Sequence, residues 1–472
     1  MKKLLALALT ITAVSALSAC TGPIPELVVA DELDTEQKIS IDFWHQSTLN
    51  EDGSDPYQDY IDSFVEEYPN ITVTPTTKES YGGLSTAVEA GIAARKYPNL
   101  TLGYSNNFVE YMQVNAVADL TGFINHEKYG FSTTDINDFK NAGFWSDNQV
   151  YDDEGTIYSL SLAKSSEAAY VNMTMLREYL GTGTTKGWSD TTIKSKLNTW
   201  EGVYEISAAL KEAGSTVYQW HHDTTANWAI ALLNQGNVDY TTFKDGEGVI
   251  NFIDDSMDDA KTLFQKYIVD NSDLVNIRAT SGAYGSGQLM DQKWDSATSG
   301  LVDSTPSIWM NLGSSSAGNY YDNRSFDLYV TGTPQMATAG STNYSILQGP
   351  SMAMLVHADE QENLATWLFM QHLLEKENQI SIAQDTGYMP VRYSAQTDYT
   401  FTNWLANEGT VQAAACQAGL NQRSYYAGTP AFIGSNETRN AVGAILDSLL
   451  GNTPATLDKA FADAKTSLIL YV

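Results

Sequence analysis

Apolar positions between residues 39 and 107 change repeatedly from strand spacing to helix spacing. The stretch "ISIDFWH" (39–45) nearly alternates and is rich in β-branched and aromatic residues, which predicts a strand. In "DPYQDYIDSFVEEYPN" (55–70) the apolar residues recur at helical spacing. "ITVTPT" (71–76) predicts a second strand, "YGGLSTAVEAGIAARKYPN" (81–99) a second helix, and "LTLGYSNN" (100–107) a third strand.

This order of strands and helices predicts βαβ units and a parallel sheet. Ligands of such sheets bind beyond the carboxyl ends of the strands. The segments at those ends are "FWHQS" (43–47), "PTTKESY" (75–81) and "GYSNN" (103–107). The pattern therefore indicates where a binding site would lie before its chemistry is known.

The rest of the chain is mainly helical in pattern. "TWEGVYEISAALKEAG" begins at Thr199, a good helix cap, and ends at Gly214. Gly/Ser-rich loops are predicted at 281–288 and 311–323, and long amphipathic helices over 362–387, 437–451 and 456–469.

The N-terminal segment "MKKLLALALTITAVSALSAC" has a basic start, a short apolar run and small residues before Cys20. These are the features of a secretory signal, and "LSAC" resembles the lipobox of bacterial lipoproteins. We therefore expect cleavage before Cys20 and lipidation of its thiol, with residues 20–36 as a tether. An ordinary signal peptide with a chance cysteine is the alternative.

The formal net charge of −31 makes nucleic acid an improbable partner, and 43% hydrophobic residues argue against disorder. The other cysteine, Cys416, lies in a helix-like run and is interpreted as a buried apolar residue. After the signal there is no apolar run long enough to cross a membrane, so the lipid would be the membrane attachment.

Several segments, taken in order, resemble one family. They are the "FWH" strand, "TVTPTTKESYGGLSTAVEAGIAAR", "GTIYSLSLAKSSEAAYVNMTMLREYLG", "TWEGVYEISAALKEAG", "ILQGPSMAMLVHADEQENLATWLFMQHLLEKENQISIAQDTGYMPVR" and "GTPAFIGSNETRNAV". The ordered set is similar to the extracellular solute-binding proteins of ABC importers, in the carbohydrate-type family that includes maltose-binding protein. "ESYGG" and "TGYMPVR" look closest to the glycerol-phosphate and oligosaccharide binders.

The resemblance implies an α/β fold of two lobes, each a mixed, mostly parallel sheet flanked by helices, with the ligand cleft between the lobes. The expected division is a signal peptide over 1–19, a lipidated tether over 20–36, lobe one over 37–163 plus 343–387, and lobe two over 164–342 plus 388–472. The expected partners are ABC importer permease subunits, and the expected state is a monomer.

A neutral, polyhydroxylated ligand needs flat aromatic faces for its C–H surfaces and polar groups for its hydroxyls. Aromatic residues at predicted strand ends or in loops are candidates for this role: Trp44, His45, Tyr81, Tyr104, Trp220 and Tyr388. For most of them core packing is the competing role. The resemblance implies ligand contacts for Tyr81, Tyr104, Ser105, Ser165, Ser166, Ser299, Gly349 and Tyr388.

The same resemblance bears on ligand charge. Phosphate-binding relatives have an arginine before a Gly-Ser or Gly-Asn pair near the C-terminus, whereas "AGTPAFIGS" (427–435) has no basic residue. Loss of a guanidinium removes the strongest phosphate-specific interaction, so a neutral sugar or oligosaccharide is favoured over glycerol phosphate. Arg392, Arg423 and Arg439 remain the basic residues that could supply another clamp.

Other functions are open on sequence grounds. A surface-anchored carbohydrate-active enzyme would share location, aromatics and substrate class. A third class is an adhesin or the binding subunit of a sensor, which would lack importer subunits in the neighbouring genes. The acidic clusters "YDDEG" and "FIDDSMDDAK" lack calcium-loop spacing, and His221 and His222 are adjacent instead of four apart. We therefore predict no catalytic residues, no metal and no cofactor.

Overall fold

The computed structural model describes residues 23–47, 49, 53–276, 284–295, 297–322 and 324–471. Cys20 and the predicted signal peptide lie outside these residues. The chain divides into two compact units. Unit 1 consists of the described residues up to Ile136, Gly155–Leu162 and Pro350–Asn378, and unit 2 of Asn137–Glu154, Ala163–Gly349 and the described residues from Gln379.

The secondary structure follows the α/β pattern predicted from the sequence. The strands are β1 (Ile39–His45), β2 (Ile71–Thr77), β3 (Leu100–Gly103), β4 (Leu160–Ser161), β5 (Glu167–Asn172), β6 (His221–His222), β7 (Thr241–Lys244), β8 (Glu247–Ile250), β9 (Gln292–Asp295), β10 (Gly300–Asp303), β11 (Met310–Ser314), β12 (Leu328–Gly332) and β13 (Ser351–Met354).

Helices cover much of the remaining chain. They are α1 (Gln58–Glu67), α2 (Tyr81–Ala94), α3 (Ser105–Met112), α4 (Thr121–Ile124), α5 (Thr133–Ala142), α6 (Met173–Leu180), α7 (Asp190–Lys196), α8 (Trp200–Glu212), α9 (Thr225–Gln235), α10 (Met257–Tyr267), α11 (Gly285–Leu289), α12 (Glu360–Leu373), α13 (Lys376–Thr386), α14 (Tyr393–Gln396), α15 (Tyr399–Asn407), α16 (Val411–Asn421), α17 (Ser435–Leu450) and α18 (Leu457–Ser467). Short 3₁₀ helices cover Trp145–Asn148, Asn251–Ile253, Val269–Leu274, Gly318–Tyr321 and Arg423–Tyr425.

The sheet of unit 1 has the strand order β2-β1-β3-β13-β4. Strand β1 pairs in parallel with β2 and with β3, which confirms the βαβ units predicted for residues 39–107. Strand β13 is antiparallel to both β3 and β4. The parallel part of the sheet is therefore the part built by the N-terminal third of the chain.

The core of unit 1 is aromatic where β1, α1 and α12 pack together. The Phe369 ring on α12 lies 5.7 Å from Phe43 on β1 and 5.1 Å from Phe64 on α1, measured between ring centroids. All three side chains are fully buried. Because burying one such ring contributes about 1.5–3 kcal/mol, this trio fixes α1 and α12 against the sheet.

The segment that precedes β1 docks on unit 1. Gln361 on α12 accepts from the backbone N–H of Asp34 at 2.7 Å and donates to the carbonyl of Glu32 at 2.9 Å. Ala30 is buried. The expected tether covers residues 20–36. Its C-terminal part is held on unit 1, because the backbone groups of Glu32 and Asp34 are paired with α12.

The sheet of unit 2 has the strand order β12-β5-β11-β6. Strand β5 is central and pairs antiparallel with both β11 and β12, while β11 and β6 are parallel. The expectation of a mostly parallel sheet is thus wrong for unit 2. The reason is topological: β11 and β12 both flank β5 and run opposite to it.

Two antiparallel hairpins, β7–β8 and β9–β10, add to unit 2. Its largest hydrophobic cluster includes the fully buried indoles of Trp200, Trp220 and Trp228. Cys416 on α16 is also fully buried, and burial raises the pKa of its thiol, so it behaves as the apolar residue predicted.

The unit boundaries differ from the predicted ones mainly at residues 137–154. This segment belongs to unit 2 because its side chains and backbone pair there. Asp138 accepts hydrogen bonds from Ser394, Asp147 pairs with Lys164, and the carbonyl of Val150 accepts from the Ala431 N–H at 2.8 Å.

Across the described residues, every helix is too short or too polar to cross a membrane.

Candidate functional site

The carboxyl ends of β1, β2 and β3 lie along one edge of the unit 1 sheet, because the three strands are parallel. We call this the carboxyl edge. In the register of β1 and β2, Trp44 is opposite Thr76 and His45 is opposite Thr77. Tyr81 begins α2 shortly after β2, and Tyr104 directly follows β3. The structure therefore brings Trp44, Tyr81 and Tyr104 to the same edge.

Trp44 is half-buried and has a cation above its ring. The Nζ atom of Lys78 lies 4.5 Å from the centroid of the indole. An ammonium group over a tryptophan face is attracted by the ring quadrupole, by about 0.5–1 kcal/mol at an exposed site. Lys78 was not predicted as a site residue from the sequence, although it follows β2 directly in the "PTTKESY" segment.

Tyr81 and Tyr104 form an aromatic pair. Their ring centroids are 4.7 Å apart with an interplanar angle of 59°, and both side chains are half-buried. Local caps position them: Ser80 Oγ accepts from the Gly83 N–H at 3.1 Å, and Asn107 accepts from the Tyr104 N–H at 3.3 Å. Ser105 is the first residue of α3 and directly follows Tyr104 in the chain. It is also half-buried.

His45 is part of the core of unit 1 and is not exposed. Its ring is fully buried against Phe43 and Tyr57, and its Nε2 lies 2.9 Å from Asp55 Oδ2. Burial tends to raise the pKa of Asp55, but hydrogen bonds from His45 and the Tyr57 N–H outweigh burial and hold this pKa below the ordinary value. We leave His45 out of the proposed site because it has no exposed surface.

The alternation of residues along β1 predicts from the sequence that His45 is buried. Ile39, Ile41, Phe43 and His45 all face the core, whereas Trp44 has the opposite parity. Strand residues two apart share a face, so His45 belongs with the apolar set.

In unit 2, Ser165 and Ser166 lie where several chain segments meet. Ser165 exchanges two backbone hydrogen bonds of 2.8 Å with Gln348. Ser166 Oγ donates to the carbonyl of Ile346 at 2.8 Å, and its N–H donates to Ser315 Oγ at 3.0 Å. Both serines are buried, and structural pairing within unit 2 accounts for the backbone of Ser165 and for the N–H and hydroxyl of Ser166.

Gly349 and Tyr388 lie beside the same segments. Gly349 has φ of 98°, and a Cβ there would come within 2.4 Å of the Ala163 carbonyl. The next residue after Tyr388, Met389, pairs through its backbone with Lys164. The Tyr388 side chain is half-buried. The structure thus brings Ser165, Gly349 and Tyr388 together in unit 2.

Two other predicted site residues lie elsewhere in unit 2. Trp220 is fully buried in the tryptophan cluster, with its ring centroid 5.0 Å from that of Trp228, so core packing accounts for it. Ser299 is exposed in the turn between β9 and β10 and has φ of 49°. We include neither residue in the proposed site.

The basic residues considered as an alternative phosphate clamp already have partners in unit 2. Arg392 pairs with Asp138 at 3.3 Å and lies 4.3 Å above the ring of Phe139. Arg423 donates to Gln396 at 3.2 Å, and Arg439 donates to Asn227 Oδ1. Each guanidinium is therefore engaged within the fold.

One polar cluster of unit 2 was not predicted from the sequence. Asn311 Nδ2 donates to Asp223 Oδ2 at 3.1 Å and to the Tyr321 hydroxyl at 2.7 Å, and Asp223 also accepts from the Gly285 N–H. The rings of Tyr321 and Tyr170 stack at 3.7 Å. These chain positions are far apart in sequence, so no local pattern could have grouped them.

The family of the chain follows from its sequence. The model of a family described as "Bacterial extracellular solute-binding protein" matches residues 59–409, and the chain belongs to that family. Solute binding is therefore its role. No curated protein matches the chain.

Solved structures share the fold at low sequence identity. An ABC substrate-binding protein from Listeria monocytogenes, in complex with cycloalternan, is 16% identical with a TM-score of 0.66, covering 92% of this chain and 99% of that one. The cyclic α-maltosyl-1,6-maltose binding protein from Arthrobacter globiformis is 15% identical with a TM-score of 0.64, covering 92% and 98%. UgpB from Mycobacterium tuberculosis, in complex with glycerophosphocholine, is 16% identical with a TM-score of 0.65, covering 92% and 98%. These likenesses confirm the two-lobed α/β fold class.

Proposed function

We propose that the protein captures a neutral sugar or oligosaccharide outside the cell and delivers it to an ABC importer. The observation that carries this proposal is the grouping of Trp44, Tyr81 and Tyr104 at the carboxyl edge of unit 1. Three half-buried rings at one sheet edge suit a ligand with apolar C–H faces.

Hydroxyl recognition would come from the same edge. The phenolic groups of Tyr81 and Tyr104 and the hydroxyl of Ser105 combine a donor with acceptor lone pairs, as sugar hydroxyls require. In unit 2, Tyr388 is the half-buried aromatic residue that we assign to ligand contact. Aromatic faces with a few hydroxyls define a site for a neutral polyol.

Three arginines of unit 2 bear on the charge of the ligand. Arg392, Arg423 and Arg439 are all paired within unit 2, so none of them offers an uncommitted guanidinium. A bidentate guanidinium would be the strongest phosphate-specific contact. Because the guanidinium groups of these three arginines are already paired, they support a neutral ligand. Two of the similar proteins bind cyclic α-maltosyl-1,6-maltose and cycloalternan.

A second candidate ligand is a glycerophosphodiester. The observation that favours it is Lys78, whose ammonium lies over Trp44 at the carboxyl edge. One similar protein binds glycerophosphocholine. A single lysine acts on phosphate as a point charge, without the geometry of a guanidinium. We rank this candidate second for that reason.

The test is a thermal-shift screen followed by calorimetry on the purified protein without its signal segment. The panel contains linear and cyclic oligosaccharides, monosaccharides, glycerol phosphate and glycerophosphocholine. We expect a saturable shift with at least one neutral saccharide and no turnover of that saccharide on prolonged incubation. Binding restricted to the phosphorylated compounds would overturn the neutral-ligand proposal, and product formation would establish the enzyme alternative.

We also propose that Cys20 carries the lipid that holds the protein on the outer face of the cytoplasmic membrane. The support is the basic and apolar segment that ends in "LSAC". Cys20→Ala should move the protein from the membrane fraction to the medium. Unchanged membrane fractionation of this variant would refute the anchor.

Importer coupling has its own test. Deletion of the gene should abolish uptake of the radiolabelled saccharide found in the screen. Normal uptake in the deletion strain, with a lost transcriptional response, would identify a sensor subunit instead.

A further inference from the structure

Two carboxylates and one imidazole meet on the helical side of unit 1. Glu67 is the last residue of α1, His372 lies in the last turn of α12, and Glu375 follows α12. One ligating atom from each of the three lies within 4.8 Å of the others. Both glutamates are exposed, while only 7% of His372 is exposed.

The hydrogen bonds of His372 leave one ring nitrogen available. Its Nε2 is 2.9 Å from Ser63 Oγ, and that hydroxyl donates to the carbonyl of Tyr60 at 3.1 Å. When the Ser63 hydroxyl donates its one proton to the Tyr60 carbonyl, it accepts from Nε2–H of His372, and the proton of the neutral ring is then on Nε2. The lone pair is consequently on Nδ1, on the side of the glutamates.

Nδ1 of His372 is buried and makes no hydrogen bond. Its nearest charged neighbour, Glu375 Oε2, lies 3.6 Å away, which is beyond hydrogen-bond length. A buried ring nitrogen without a hydrogen-bond partner costs free energy. A cation bound between this nitrogen and the two carboxylates would remove that cost.

We propose that Glu67, His372 and Glu375 form a Zn²⁺ site that joins the end of α1 to the end of α12. Neutral imidazole and carboxylate oxygens are common zinc ligands, with bonds of about 2.0–2.2 Å, and water would complete a tetrahedron. Tetrahedral ligands at such bond lengths lie about 3.4 Å apart. The 3.6 Å between His372 Nδ1 and Glu375 Oε2 is close to this value, and a pair at the 4.8 Å limit must shorten by about 1.4 Å. The two glutamates are exposed and flexible enough to make that movement, while the buried imidazole stays in place.

The Ser63 hydroxyl supports the same arrangement, because it lies 2.9 Å from His372 Nε2 and holds the imidazole through the ring nitrogen that does not face the glutamates. A metal-binding imidazole oriented through its other ring nitrogen is typical of protein metal sites.

The experiment uses the tag-free protein without its signal segment, stripped with chelator and titrated with ZnCl₂ alone. We expect one equivalent of zinc by calorimetry and by elemental analysis after gel filtration, together with a higher melting temperature. Glu67→Gln and Glu375→Gln should each weaken zinc binding at least about tenfold. Ser63→Ala should weaken it about 10–100-fold through the ring tautomer.

Glu66→Gln is the matched control, because Glu66 is the exposed neighbour of Glu67 on the same helix. It should bind zinc as the wild type does. All these substitutions are at exposed positions, so folding is preserved and circular dichroism will verify it. Absence of stoichiometric zinc binding by the wild type, or equal binding by the Glu67→Gln/Glu375→Gln double variant, would overturn the proposal.

Discussion

The rings of Tyr81 and Tyr104 lie 4.7 Å apart at an angle of 59°, although one begins α2 and the other follows β3. Such tilted pairs are worth about 0.5–1.5 kcal/mol beyond the area they bury. The pair therefore holds two phenol rings in a fixed orientation at the carboxyl edge. A rigid aromatic surface loses little entropy when a ligand settles on it.

Replacement of either tyrosine should weaken sugar binding. For Tyr81→Ala and Tyr104→Ala we expect a loss of about 1–4 kcal/mol, or roughly ten- to several-hundred-fold in Kd, since truncated aromatic contacts usually cost this much. Tyr388→Ala in unit 2 should have the same effect. Calorimetry with the saccharide identified in the screen provides the measurement.

Tyr399→Ala is the control for these variants, because Tyr399 is 80% exposed at the start of α15 and is not one of the proposed contacts. Its affinity should match the wild type. If Tyr81→Ala and Tyr388→Ala both retained wild-type affinity, the assignment of these tyrosines would be wrong.

A buried ion pair fixes the start of the 164–166 segment. Lys164 Nζ lies 2.5 Å from Asp147 Oδ2 and 3.2 Å from the Gly349 carbonyl, and Lys164 is almost fully buried. Asp147→Asn removes the negative charge of this pair, and removal of one partner from a buried pair costs about 3–5 kcal/mol. We expect a loss of about 3 kcal/mol in urea unfolding, at the lower end of that range, since the Gly349 carbonyl still accepts.

Two further variants test the Lys164 interpretation. Glu212→Gln removes the exposed partner of Lys186 and should change stability by less than about 1 kcal/mol. The Lys164→Met/Asp147→Leu double variant removes both buried charges and should recover much of the lost stability. A single Asp147→Asn variant as stable as wild type would mean that Lys164 is solvated and not paired.

Acid should destabilise unit 1 through Asp55. The folded pKa of Asp55 lies below its usual 3.8, because the hydrogen bonds from His45 and Tyr57 outweigh the effect of burial. The unfolded chain therefore binds the proton at a higher pH than the folded chain does. The stability from Asp55 is fully present above the unfolded pKa and is lost as the pH falls through the folded value.

The measurement compares wild type with Asp55→Asn in urea unfolding at about pH 7, 5 and 3.5, a range that spans the ordinary pKa of an aspartate. The difference in unfolding free energy between wild type and Asp55→Asn should be smaller at about pH 3.5 than at about pH 5. Asp62→Asn, which removes an exposed carboxyl from α1, controls for net charge. A difference that grows with acid would contradict a lowered pKa for Asp55 in the folded protein.

Local periodicity was sufficient to predict the parallel part of unit 1. Strands β1, β2 and β3 and helices α1 and α2 follow one another in the chain, and each has its own hydrophobic pattern. Strand β13 could not be placed in this way. It comes far after β3 in the chain and is buried throughout, so "SMAM" has no alternation to reveal its partner.

The candidate site was predictable to the same extent. The parallel-sheet rule located Trp44, Tyr81 and Tyr104, because it concerns strand ends and not side-chain directions. It failed to separate His45 from Trp44, where only strand parity distinguishes them. The prediction of Trp220 as a ligand contact failed for a related reason. An aromatic residue beside a short strand can belong to either the core or the surface, and Trp220 belongs to the core.

Lys78 separates the two candidate ligand classes. Its ammonium lies 4.5 Å above Trp44, so a bound anion at the carboxyl edge would gain from its charge, whereas a neutral sugar would gain little. Lys78→Gln should leave the affinity for a neutral oligosaccharide within about threefold of wild type. For glycerophosphocholine the same change should cost roughly tenfold or more, about 1.4 kcal/mol.

Lys38→Gln provides the matched control, since Lys38 directly precedes β1 and lies at the opposite, amino end of that strand. It removes the same charge without touching the carboxyl edge. Calorimetry at low ionic strength and at about 0.15 M salt, where charges beyond about 8 Å are screened, separates contact from long-range attraction. Tighter binding of glycerophosphocholine than of any sugar, lost in Lys78→Gln but not in Lys38→Gln, would replace the neutral-sugar proposal with a phosphodiester site centred on Lys78.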